Sequence, residues 1–102
     1  MTADPTDWVI WKYPIPMLDE FSLPLPGDAR VLSVQMQDGA IQLWALVQPK
    51  AAARARRFRM IGTGHPIAAA EEARLAFVGT FQLSGGALVF HLFEKAMEGE
   101  SS

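Results

Sequence analysis

The chain has 102 residues, which suits a single domain that buries about 65% of the surface exposed by the unfolded chain. Half of the residues are hydrophobic and only 20% are charged, which excludes an intrinsically disordered chain. Cysteine is absent, so disulfides, zinc–cysteinate sites and thiol nucleophiles are excluded, as is typical of a reducing compartment.

The two ends of the chain indicate how it is organised. The N-terminus is polar and acidic, and no apolar run approaches the roughly 20 residues of a transmembrane helix, so we expect neither a signal peptide nor a membrane span. We predict a flexible N-terminus over residues 1–7, a single β domain over residues 8–95 and a disordered C-terminal tail over residues 96–102.

The first two predicted elements are short extended segments. Residues 8–13, "WVIWKY", are rich in β-forming residues, and a regular strand would place Trp8 and Trp11 on opposite faces. Residues 20–26, "EFSLPLP", alternate apolar and other residues. Pro24 and Pro26 restrict that segment to the edge of a sheet or to an extended connection.

A β-hairpin is predicted over residues 31–47, because Asp38-Gly39 separates two alternating runs. A two-residue loop would pair Met36 with Ile41, Val34 with Leu43 and Leu32 with Ala45 on an apolar face. The other face would pair Gln35 with Gln42 and Ser33 with Trp44, and it is mostly polar.

The next segment, "RRFRMIG", predicts a strand with a basic outer face. Arg57, Arg59 and Ile61 alternate with Phe58 and Met60, which we assign to the core. The later segment "AAAEEAR" could form one helical turn, but it is too short to be stable alone.

Between these two segments, Gly62 to Ile67 read "GTGHPI", which favours a turn. A phosphate-binding loop would need a lysine followed by serine or threonine after its second glycine and a helix behind it, and neither is present. Glycine, threonine and proline are also ordinary turn residues. The alternative is a loop in which Thr63 and His65 contact a ligand directly.

A second hairpin is predicted over residues 75–94, with Gly85-Gly86 at its turn. One face is strongly apolar, and the other is too apolar to be fully solvated, so another layer or a partner should cover part of it. On the strongly apolar face, Leu83 should pair with Leu88, Phe81 with Phe90 and Gly79 with Leu92. On the other face, Gln82 should pair with Val89, Thr80 with His91 and Val78 with Phe93.

Together these elements predict an all-β fold with at most one short helix. Six or seven short strands would form a compact antiparallel β-sandwich or a small open barrel. The pattern does not order the strands outside the two hairpins.

No catalytic or metal-binding constellation emerges from the residue types. His65 and His91 lack the spacing and the third ligand of a metal site. Thr80 lies opposite His91, but Glu94 should point to the other face of its strand, so no triad assembles. We therefore predict a protein that is not an enzyme and that needs no metal or cofactor.

A basic stretch in an otherwise acidic chain is the main candidate for binding. No acid occurs from Gly39 to Ala70. One interpretation is that the basic stretch is a solvated loop and strand edge. The other is that it binds phosphates or an acidic protein surface. Nucleic-acid binding is not favoured, because Phe58 should be in the core rather than exposed for base stacking. The predicted contact residues are Lys50, Arg54, Arg56, Arg57 and Arg59, with Arg54 and Arg56 in a loop where their charges converge with those of the strand.

Several segments resemble, as a set, a family of small bacteriophage and prophage proteins of unknown function. They are "IWKYPIP", "LSVQMQ", "LWALV", "RRFRMIGTGHPI" and "FVGTFQLSGGALVFHLFE", within about Ile10 to Glu94. In that family Asp-Pro typically follows the "WALV" segment, whereas this chain has Gln48-Pro49, so any role of that acid is absent. The resemblance implies no catalytic residue. It implies a phage accessory context, in which small cysteine-free β domains bind and disable host machinery.

The leading hypothesis is a non-enzymatic phage accessory protein that binds and inhibits a host protein or ribonucleoprotein in the bacterial cytoplasm, such as a CRISPR effector. One alternative is a binder that sequesters an anionic nucleotide signal with the arginines and the glycine loop. Another is a structural or assembly component of the phage particle. A homodimer is also predicted, through sheet pairing or through the Val78–Phe93 face.

Overall fold

The computed structural model describes residues 6–96, which form seven strands, one short α-helix and one 3-10 turn over Ser84–Gly86. Most of the predicted C-terminal tail and residues 1–5 of the predicted N-terminal segment lie outside the described residues. The elements are β1 Val9–Pro14, β2 Glu20–Pro26, β3 Arg30–Gln37, β4 Ala40–Val47, β5 Ala53–Gly62, α1 Ala69–Glu72, β6 Leu75–Leu83 and β7 Leu88–Lys95.

The strands form two antiparallel sheets, which confirms the predicted all-β sandwich-like class. The three-stranded sheet has the order β1-β4-β3, and the four-stranded sheet has the order β2-β5-β7-β6. Their inner faces enclose one core, in which Leu43 and Val47 of one sheet and Leu25, Phe58 and Leu92 of the other are fully buried. The proline-containing strand β2 lies at a sheet edge, as predicted.

The first hairpin forms around the predicted turn. Asp38 and Gly39 have φ angles of 51° and 80°, the positive values that a type I′ turn requires. Met36 faces Ile41 and Val34 faces Leu43, as predicted. The expected pairing of Leu32 with Ala45 is wrong, because a β-bulge inserts Leu32 into its strand as an extra residue. Val31 faces Ala45 instead, and Leu32 is 42% exposed.

The second hairpin has a corresponding irregularity. The predicted pairs from Leu83–Leu88 to Gly79–Leu92 are present, and Gly85 and Gly86 both have positive φ angles. The predicted pairing of Val78 with Phe93 is wrong. A bulge at Val78 turns that side chain towards the core, so Phe77 faces Phe93.

Both bulges lie where the two sheets approach each other. They occur in β3 and β6, which are edge strands of different sheets. A Cβ atom on Gly79 would lie only 3.0 Å from Cγ1 of Val34, so the missing side chain allows the close approach. Because bulges bend strands and increase their twist, they help one sheet to continue towards the other at this edge.

The connection between β5 and β6 covers part of the outer face of the four-stranded sheet. Strands β5 and β6 flank β7 and run parallel to each other, so the chain must cross over between them. The crossover contains α1, the predicted helical turn, and Ile61 on this outer face is buried. The chain itself therefore supplies a layer over part of the apolar outer face, and Phe77 on the same face stays 62% exposed.

Candidate functional site

The predicted basic surface is divided between two sides of one strand. Strand β5 begins at Ala53, so Arg54 and Arg56 belong to the strand and not to the preceding loop. Alternation places them on the same side as the buried Phe58, whereas Arg57 and Arg59 point outwards. The prediction that the four arginines converge on one surface is therefore wrong.

On the inner side, Arg56 is held by several hydrogen bonds. Its Nη2 donates to Oε1 of Glu94 at 2.9 Å, and its Nε donates to the second oxygen of the same carboxylate. Its Nη1 donates to the carbonyl oxygen of Ala29 at 2.8 Å. Glu94 lies opposite Phe58, on the core side of β7, which confirms the prediction that it points to the other face of its strand from His91. A guanidinium with this many partners is oriented before any ligand arrives.

A cavity of about 460 Å³, which we call the arginine cleft, opens beside this pair. It exists because β7 pairs with β5 only between Phe58 and Gly62, whereas β5 begins five residues earlier. Its cationic wall contains Arg54, Arg56 and Arg74, its carboxylates are Asp28 and Glu94, and its remaining lining comes from Gly27, Leu75, Lys95 and the alanines Ala73, Ala76 and Ala96.

On the outer side, the charged groups form ion pairs across the surface. Nε of Arg59 donates to Glu71 of α1 at 2.8 Å, and Nζ of Lys95 donates to Glu20 at 2.5 Å. The hydrogen bond and the charge of Lys95 hold the pKa of Glu20 below its usual value, with smaller contributions from Arg59 and Arg57. The outer side is thus a mixed surface of cations and anions.

Two of the predicted contact residues lie far from the arginine cleft. Thr63 and His65 belong to the turn after β5, in which the N–H of His65 donates to the carbonyl oxygen of Gly62 at 3.1 Å. Gly64 has a φ angle of 88°, which a turn of type II places at its third position. Eight residues of extended strand separate Gly62 from Arg54, a span of about 26 Å. The arginines and the glycine loop therefore do not form one site, and exposed Lys50 lies in the turn before β5.

His91 is part of a small polar network on the outer face. Its Nε2 lies 2.7 Å from Oγ1 of Thr63, and its Nδ1 lies 2.8 Å from Oγ1 of Thr80, the threonine predicted to face it. These contacts engage both ring nitrogens with hydroxyl groups. Within residues 6–96, no group of three or more histidines or acids could hold a metal ion.

A second candidate surface was missed by the sequence analysis because the partner of β1 was unknown. Strand β1 pairs with β4 and aligns Ile10 with Leu46 and Lys12 with Trp44 on the outer face of the three-stranded sheet. On the other side of β4, Arg30 also aligns with Leu46. We call these five residues the tryptophan face.

The tryptophan face combines apolar groups with positive charge. Ile10 is 58% exposed, Trp44 and Leu46 are half-buried, and Trp8 is exposed just before β1. None of the three strands contains an acidic residue, so Lys12 and Arg30 are their only charged side chains. The face therefore has an exposed apolar centre flanked by two cations.

Residues 7–102 match the family model described as a domain of unknown function (DUF7352). The chain belongs to the DUF7352 family. No curated protein and no solved structure matches it. In this DUF7352 member, the part of the chain that the structure describes contains no helix that is long and apolar enough to cross a membrane.

Proposed function

We propose that the protein is a non-enzymatic binding module that docks on a partner protein through the tryptophan face. The observation that carries the proposal is the row of Ile10, Trp44 and Leu46 on an outer sheet face without acids. Tryptophan and arginine are the residues most often found at the energetic centres of protein interfaces. The face also lies on regular strands, which hold its side chains in a fixed arrangement.

The charges of this face indicate the chemistry of its partner. Lys12 and Arg30 flank the apolar centre, and Nζ of Lys12 donates to Gln37 at 2.7 Å. A complementary surface would carry apolar side chains at its centre and carboxylates at its rim. Rim charges of this kind mainly accelerate association and select the partner, whereas the apolar centre supplies most of the affinity.

The resemblance to phage and prophage proteins gives this binding role a biological setting. In that setting the partner is a host protein or ribonucleoprotein, such as a component of a defence system, and binding inhibits it. The contacts of His91 with two threonines, without a carboxylate among its described partners, favour binding over catalysis. A homodimer stays a prediction. The Val78–Phe93 surface first considered for it has changed, because Val78 turns inwards.

A matched pair of substitutions tests the proposal. Ile10→Glu adds a charge to the centre of the tryptophan face, and Phe77→Glu adds one to an equally exposed position on the other sheet, where Phe77 is 62% exposed. Proteins captured from host lysate by the unmodified chain are identified by mass spectrometry, and the purified partner is then titrated against each variant.

We expect Ile10→Glu to weaken binding of that partner at least about tenfold and Phe77→Glu to leave it within twofold. Circular dichroism and the thermal midpoint should show that both variants fold. The proposal is wrong if the partner binds both variants equally or is lost with Phe77→Glu. Light scattering that shows Ile10→Glu converting a dimer to a monomer would assign the face to a second copy of this chain and would also contradict the proposal.

A further inference from the structure

We infer that the arginine cleft is a binding site for an organic phosphate of nucleotide size. This site is on the four-stranded sheet, separate from the tryptophan face, so the inference does not depend on the proposed function. It rests on three features of the cleft: its cations, its apolar wall and its volume.

The cations approach the cleft from different elements. Arg54 and Arg56 project from the same side of β5, about 7 Å apart along the strand. Arg74 precedes β6. These three arginines face two carboxylates, Asp28 and Glu94, so the lining has an excess of positive charge even though the ammonium group of Lys95 is bonded to Glu20 on the outer side.

The guanidinium groups suit phosphate better than they suit a single point charge. An arginine presents a planar fork of N–H donors that matches two oxygens of a phosphate group. The orientation of Arg56 is already set by Ala29 and Glu94. Because two N–H groups of Arg56 already bind the Glu94 carboxylate, the forks that would meet a phosphate are those of Arg54 and Arg74.

The rest of the lining indicates that the ligand has an apolar part as well as phosphates. Ala73, Leu75 and Ala76 contribute small and apolar surface to the lining, which we call the apolar wall. The volume of about 460 Å³ far exceeds that of one phosphate group and lies within the range of about 300–1,000 Å³ that is usual for small-molecule sites. A nucleoside phosphate could place its charged end against the arginines and its base or sugar against this wall.

Strand β5 itself supplies a matched control. Arg54 and Arg57 are both exposed arginines of the same strand, but only Arg54 lines the arginine cleft. Arg54→Ser and Arg57→Ser remove the same charge from opposite sides of the sheet. Arg56 is unsuitable as the first test, because its loss would also deprive Glu94 of its partner.

The experiment is isothermal titration of the full chain with ADP, pyrophosphate and adenosine at low salt. We expect ADP to bind more tightly than either pyrophosphate or adenosine. Arg54→Ser should weaken ADP binding at least about tenfold, since hydrogen bonds between charged groups are roughly twice as strong as neutral ones. Arg57→Ser should change it less than about twofold, and higher salt should weaken binding to the unmodified chain.

Several results would overturn the inference. Absence of ADP binding would do so, as would binding of adenosine as tight as that of ADP, because the cations would then have no role. If pyrophosphate binds as tightly as ADP, the apolar wall contributes nothing to the affinity for the nucleoside part of the ligand. Equal losses in Arg54→Ser and Arg57→Ser would show diffuse attraction to the arginines on both sides of β5 rather than a site.

Discussion

The inner and outer sides of β5 carry the same type of residue in different surroundings. Arg54 and Arg56 face inwards at the end of the core, where Arg56 shares two hydrogen bonds with Glu94 and one with Ala29. Arg59 faces outwards, donates one hydrogen bond of 2.8 Å to Glu71, and donates two longer ones of 3.3 Å to the carbonyl oxygens of Asp19 and Met60. A run of arginines in a strand is therefore not one basic surface, because alternation sends neighbouring side chains to opposite faces.

The comparison also shows how far a charged residue can enter the core side of a sheet. The arginine side chain at position 56 is only 16% exposed, and two residues further along the same face Phe58 is fully buried. The inner face thus changes from a polar end to an apolar centre within two residues. Substitutions on the two sides should consequently differ in their effects on stability.

The largest effect is expected for Phe58→Ala, on the apolar part of the inner side. Truncation of a fully buried phenylalanine leaves a cavity and should lower the free energy of unfolding by about 3–5 kcal/mol. Urea denaturation measures this change. The control is Phe77→Ala on the outer face, which should cost less than about 1 kcal/mol. Similar losses for the two variants would contradict the core assignment.

A smaller effect is expected for Arg56→Ala, on the polar part of the inner side. The substitution leaves the Glu94 carboxylate and the Ala29 carbonyl oxygen without the donors that Arg56 supplies, which should cost about 1–3 kcal/mol. Its outward-facing neighbour supplies the control, since Arg57→Ala should change stability by no more than about 0.5 kcal/mol. If chemical denaturation shows that Arg57→Ala lowers the free energy of unfolding more than Arg56→Ala does, the proposed difference in stability between the inner and outer sides of β5 is wrong.

The smallest effect concerns the ion pair of Glu20 with Lys95 on the outer side. The pKa of Glu20 is lowered in the folded protein, so the unfolded chain binds a proton more readily. The stabilisation is present above the unfolded-state pKa near 4.5 and is lost as the pH falls through the folded-state pKa. Glu20→Gln should therefore lower the thermal midpoint slightly at pH 7 and not at pH 3. An equal difference in thermal midpoint between Glu20→Gln and the unmodified chain at both pH values would disprove this role. The effect should be small, because the ion pair is exposed to solvent.

Residues close together in the sequence supplied the reliable predictions. The turn at Asp38-Gly39 determines the local pairing of Met36 with Ile41, because a two-residue loop leaves one register that separates apolar from polar side chains. The predicted pairs nearest Gly85-Gly86 also form, although the chain turns there through a 3-10 turn over Ser84–Gly86 rather than a two-residue loop. Local pairing fails further from each turn, at Leu32 and Val78, because a β-bulge inserts an extra residue into each strand where the two sheets approach each other.

The sequence by itself determined the all-β class, the two hairpins, the edge position of β2 and the turn after Gly62. These follow from alternation, from proline's missing N–H group and from the φ angles that glycine allows, all of which act within a few residues. Only the tertiary structure decided that β1 pairs with β4 to form the tryptophan face, and that β5 extends beyond β7 to leave the arginine cleft. Those pairings join residues that are distant along the chain, so they depend on how the whole core packs and not on any local pattern.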